Sequence, residues 1–145
     1  MVRLLVLSLL CFQISSLIPS VDLNGSWVVL NDMSTGVSSF GSAFVAVQDS
    51  STLKITRTVR GQSSTATYRL DGSENKNDLS GGKNTSTLSR LSWDGSRLVI
   101  RSRYVDSPDV TVLRTLWLDA RGCLNIVTIT LPAGEVTKTL YSRNR

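Results

Sequence analysis

The chain has 145 residues, 41% of them apolar, which is enough for one domain with a real core and too apolar for a disordered chain. Sixteen basic and eleven acidic residues give a formal charge of +5, and histidine is absent. Catalytic triads of the serine or cysteine type and the usual zinc sites draw on histidine, so those enzyme classes are excluded at once.

The first element is residues 1–20, MVRLLVLSLLCFQISSLIPS, with one arginine ahead of an apolar stretch from Leu4 to Phe12 and then a softer region rich in serine. That layout predicts a secretory signal peptide, cleaved after Ser16 or Ser20, and a secreted or periplasmic domain over residues 21–145. A membrane-spanning helix needs about 18 to 20 nearly uninterrupted apolar residues. Gln13, Ser15, Ser16 and Pro19 interrupt this segment early, so no span is expected in the mature form. Ser8-Leu9-Leu10 before Cys11 lacks the small residues that precede a lipidated cysteine. With Cys11 removed, Cys123 stands alone and no internal disulfide can form. Without a histidine to activate it, Cys123 reads as a small strand hydrophobe. Losing Arg3 lowers the charge from +5 to +4, and the remaining basic residues, mostly arginine, are scattered singly along the chain. No cluster tracks a nucleic-acid backbone, so no nucleic-acid partner is expected.

From residue 21 onward, threonine, valine, leucine, isoleucine and serine dominate, a composition of strands. Turn signals recur at short intervals, among them Arg60-Gly61, Asp71-Gly72, Asp94-Gly95, Arg121-Gly122 and Pro132-Ala133-Gly134. Nine strands are predicted between them, at 25–31, 43–48, 52–59, 64–70, 85–93, 96–104, 110–118, 123–131 and 135–143, with longer loops at 32–42 and 71–84. The first strand opens on Gly25-Ser26-Trp27. In the third, Arg57 shares parity with Leu53, Ile55 and Val59; in the fourth, Ala66, Tyr68 and Leu70 oppose Thr65, Thr67 and Arg69. In 96–104, Leu98, Ile100 and Tyr104 fall on one face, and Arg97, Arg101 and Arg103 on the other. In 110–118, Arg114 shares parity with Val110, Val112, Leu116 and Leu118, and the chain ends on Tyr141-Ser142-Arg143-Asn144-Arg145.

No segment carries a 3.6-residue apolar period long enough for a helix, so a parallel sheet with crossover helices is not expected. What remains is an all-β, antiparallel up-and-down meander of about 8 to 10 strands, closed into a barrel that removes its unprotected edges. A two-sheet sandwich is the alternative.

Gly-x-Trp on the first strand of a small meander barrel, here Gly25-Ser26-Trp27, resembles the signature of the calycins, the superfamily of lipocalins and fatty-acid-binding proteins. The resemblance implies that Trp27 closes one end of the barrel and that Arg143 lies across its face as a cation–π partner. Gly25, Trp27 and Arg143 are thereby marked as determinants of the fold. The terminal Tyr-x-Arg is similar to the close of the fatty-acid-binding type. The run YRLDGSEN at 68–75, the WDG-x-RLVI hairpin at 93–100 and the tail also look like small bacterial secreted lipocalin-like proteins. The chain departs from these patterns in lacking the Thr-Asp-Tyr motif of lipocalins and in having Thr139 where fatty-acid-binding proteins often place a carboxylate-binding arginine. Those differences bear on lipid binding rather than on fold.

No catalytic constellation emerges. Ten of the eleven acids lie in predicted turns, loops or strand ends, where solvated turn chemistry accounts for them, and Glu135 begins the last strand. DGSENKNDLSGG at 71–82 is rich in oxygen ligands, but its order does not match a calcium-binding EF-hand loop, so no metal and no cofactor is expected. Asn24-Gly25-Ser26 and Asn84-Thr85-Ser86 are formal glycosylation sequons that matter only in a eukaryotic secretory route. Arg57 and Arg114, both in step with apolar residues, are the unusual feature, since a charge on a buried face is costly unless it is paired or reaches water. Either a bulge turns each one outward, or it pairs with an internal acid or carbonyl, or it lines a wet cavity that takes an anionic ligand. The last account brings Tyr68, Tyr104 and Tyr141 around the same space. The sequence thus predicts a non-enzymatic barrel holding a small hydrophobic or anionic amphipathic ligand. The alternative is an envelope or protein-interaction module with a filled barrel. A cavity above about 300 Å3 would favour the first.

Overall fold

The computed structural model describes residues 21–30, 40–78 and 86–144; the expected signal segment, with Cys11, lies outside them. Ten strands run in one sheet: β1 (Gly25–Val29), β2 (Ala43–Gln48), β3 (Thr52–Val59), β4 (Gln62–Arg69), β5 (Asn75–Asp78), β6 (Ser86–Asp94), β7 (Arg97–Tyr104), β8 (Thr111–Leu118), β9 (Leu124–Leu131) and β10 (Glu135–Asn144). Every pairing is antiparallel, and the order β4-β3-β2-β1-β10-β9-β8-β7-β6-β5 joins the first strand to the last. The result is a nearly closed meander barrel, not a sandwich. Nine of the strands fall where alternation and turn residues put them.

The tenth, β5, lies inside the segment expected as a loop. Its sequence, Asn-Lys-Asn-Asp, has no apolar residue to register as a strand face, yet Asn77 is 5% exposed and points inward. β5 pairs with β6 but shares no backbone ladder with β4, so the barrel has a seam there. Side chains close it. Asn77 Oδ1 accepts from the Thr67 amide at 2.8 Å, and Asn77 Nδ2 donates to the Thr67 carbonyl at 2.9 Å, the two bonds a neighbouring strand would otherwise supply. Asn75 Nδ2 donates to the same carbonyl.

The turns are built from short polar side chains. Asp49 Oδ1 accepts from the amides of Ser51 and Thr52, each at 2.7 Å, closing the β2–β3 turn. These bonds to the charged form hold the Asp49 carboxyl down at about 2. Asn24, the first of the two sequons, clamps the start of β1 to the end of β2. It accepts from the Gln48 amide at 2.7 Å and donates to the Gln48 carbonyl at 3.1 Å.

One end of the barrel is plugged. Trp27 is fully buried and donates from Nε1 to the Leu23 carbonyl at 2.9 Å. The Arg143 guanidinium lies 4.8 Å from the Trp27 ring centroid and donates to the Asp22 carbonyl at 3.1 Å. Gly25 lies beside this stack with a φ of +131°, a conformation L side chains rarely adopt. The three residues of the opening motif and tail therefore form one unit.

On the outside, folding gathers arginines that look scattered along the chain. The β6–β7 register sets Arg90 directly opposite Arg101, and Glu74 pairs with Arg90 at 3.3 Å and Arg103 at 3.7 Å. Arg97 stacks over Trp117 at 4.9 Å. Such exposed pairs are worth little to stability.

Candidate functional site

The interior changes character along each strand. From the plugged end, β3 presents Leu53, Ile55 and then Arg57; β7 presents Leu98, Ile100, Ser102 and then Tyr104; β8, read backwards, presents Leu116, Arg114 and Val112. β6, also read backwards, presents Leu91, Ser89 and Thr87. The first layers are dry and the later ones carry hydroxyls and guanidinium groups. This gradient divides the barrel into a packed half and a half that can take solvent or a ligand.

A cavity of about 230 Å3 occupies the polar half. Arg57, Arg114, Tyr68 and Tyr104 line it, together with Ser64, Thr87, Ser102 and the apolar Phe40, Ile55, Ala66 and Val112. It is smaller than the mark set from the sequence, so the barrel is neither hollow throughout nor filled throughout. Arg57, Arg114, Ser64 and Tyr104 are part-exposed, whereas Tyr68 is 5% exposed.

Both arginines lie in unbroken ladders, Arg57 between Phe44 and Ser64, and Arg114 between Ile100 and Thr128. No bulge turns either one outward, which corrects the first of the three accounts. Pairing with an acid fails as well: among the described residues neither arginine meets a carboxylate. Among the described residues Arg57 Nε donates only to the Ser64 hydroxyl at 3.5 Å, the far limit of a hydrogen bond. The Arg114 guanidinium stacks 5.5 Å from the Phe40 ring centroid, and its Nε is buried with no partner. Burial pushes the Tyr68 phenol above its ordinary value, while the charges of Arg114 and Arg57 pull the other way. Both arginines line the same cavity as Tyr68.

Tyr141 does not belong to this constellation. It is fully buried in an aromatic cluster, with its ring centroid 4.9 Å from that of Phe44, and its hydroxyl donates to the Gly41 carbonyl at 2.9 Å. The expectation that all three tyrosines share one space is corrected to two. Sequence reasoning missed Ser102 and Ser64, although Ser102 shares parity with Tyr104, and Ser64 with Tyr68. It also missed Phe40, which sits in the segment expected as a loop and ends up 4% exposed.

No protein-family model matches the chain, and no curated protein matches it. Solved structures do. The human cellular retinol-binding protein cRBP IV superposes with a TM-score of 0.64 at 19% identity, covering 86% of this chain and 99% of that one. A structure described as the REP1-NXSQ fatty acid transporter gives a TM-score of 0.61 at 12% identity, covering 85% and 96%. Both are barrels of the lipocalin and calycin type, and this chain has that fold.

Proposed function

We propose that the protein is a non-enzymatic, secreted or periplasmic binding protein that holds a small hydrophobic or anionic amphipathic ligand in the polar half of its barrel. One observation carries this reading: two guanidinium groups share a cavity of about 230 Å3 with no carboxylate partner among the described residues. A part-exposed guanidinium with no carboxylate partner bears part of the cost of leaving water, and a ligand carboxylate that matches the guanidinium fork would offset it. The neighbours' names, retinol binding and fatty acid transport, support a ligand of apolar character, and the apolar wall of Ile55, Ala66 and Val112 suits its chain. The size of the cavity limits that chain to a short one.

The test is a titration with a short fluorescent fatty acid and with its methyl ester, against the wild type, Arg57→Met and Arg114→Met. The acid should bind more tightly than the ester to the wild type, and either variant should lose that preference while remaining at least as stable. A second reading, a surface module acting through its exterior, draws support from Val28, Val45 and Val47, which are 38%, 44% and 56% exposed on the outer face of β1 and β2. Equal affinities for acid and ester in all three proteins would put that reading ahead.

A further inference from the structure

The charge of the cavity sets a finer constraint than its shape. Among the described residues two arginines line it and no aspartate or glutamate does, and the chain has no histidine. The other titratable groups on its wall are Tyr68 and Tyr104. Burial keeps Tyr68 protonated at neutral pH, so it supplies a hydroxyl and not a counter-charge. A ligand with one negative charge would leave one guanidinium without a partner. A ligand with two would neutralise both.

The donors point the same way. The Arg114 guanidinium carbon lies 5.5 Å from the Phe40 ring centroid, and its buried Nε has no acceptor among the described residues. Among the described residues Arg57 reaches only a distant serine hydroxyl. Thr87, 7% exposed, and Tyr68 add hydroxyls on the same wall. A carboxylate offers two oxygens to this set, whereas a phosphate monoester offers three terminal oxygens and a charge near −2. With Ile55, Ala66 and Val112 beside the arginines, and a volume of about 230 Å3, an apolar tail fits only if it is short.

We propose, building on the ligand-binding reading, that the cavity selects a dianionic head group, the phosphate monoester of a short alkyl chain, over a carboxylate of the same length. Octyl phosphate, octyl sulfate, octanoate and octanol serve as probes, titrated calorimetrically into the mature chain. At about pH 7.5, octyl phosphate should bind at least about tenfold more tightly than octanoate or octyl sulfate, because only it meets both charges. Its advantage over the sulfate should fall to about threefold at about pH 5.5 and vanish by about pH 4, as the phosphate ester is protonated below its second ionisation at about 6. Among the described residues no group with an ordinary value in that range lines the cavity, so this pH effect reports the ligand. Arg57→Met or Arg114→Met should bring phosphate and carboxylate to within about twofold of each other. Arg101→Met, on the outer face, should change nothing. Octanoate or octyl sulfate binding as tightly as octyl phosphate would overturn the proposal and leave the ligand-binding reading standing. Failure of all four probes to bind would remove both.

Discussion

Trp27 shows how much a single residue can signal. Its place in Gly-x-Trp leads to the expectation of a plugged barrel end, and the structure supplies the reason the spacing matters. Gly25 takes a φ of +131°, which favours glycine, and Ser26, between it and Trp27, faces outward beside Val45. Trp27→Ala would leave a cavity among Leu23, Phe44 and the other buried residues of the plug, and should destabilise the protein by about 3 to 5 kcal/mol. A melting temperature equal to that of the wild type would show that Trp27 does not serve as the plug. Arg57 and Arg114 were legible to a lesser degree. Parity puts them on the inner face, but parity alone does not distinguish a bulge, an ion pair and a wet cavity, because each depends on residues far away in sequence. Tyr141 misled for a related reason. It lies on the inner face as expected, but β10 brings it beside Phe44, where its hydroxyl is used by the backbone at Gly41.

Among the elements, β5 was the hidden one. Strand prediction rests on alternating apolar residues, and the β4–β5 seam is held by amides. Asn77 accepts the N–H of Thr67 and shares its C=O with Asn75, so replacing it by alanine strands the part-buried Thr67 N–H. Asn77→Ala should cost about 1 to 3 kcal/mol for the amide left unpaired. Its local signature is faster hydrogen exchange at the Thr67 amide, while amides in the β8–β9 ladder keep their protection. Uniform exchange rates in the variant and the wild type would mean that the seam is closed by something other than this side chain. The remaining nine strands were legible because their turns are chemically explicit, as at Asp49, where a carboxylate accepts two amides.

For the molecule as a whole, closure depends on chain ends that are distant in sequence. β1 pairs with β10, and the segment just before β1 packs beneath the Trp27 plug, where Leu23 is fully buried and Val21 is 7% exposed. The Leu23 carbonyl accepts the Trp27 indole proton, and the Asp22 carbonyl accepts a proton of the Arg143 guanidinium. Residues 21–23 are therefore structural. This bears on the expected export signal, which must be removed without disturbing them. A mature chain beginning between Ser16 and Val21 keeps every one of these contacts. A chain beginning at Asn24 loses a fully buried leucine and leaves the indole N–H without its acceptor, a change of several kcal/mol from burial and hydrogen bonding together, at about 2 to 5 for the leucine alone. N-terminal sequencing of exported protein should accordingly find a start between Ser16 and Val21. Material that retains Leu4 to Leu10 would rule out a cleaved signal. A stable exported chain starting at Asn24 would show that the plug closes without residues 21–23.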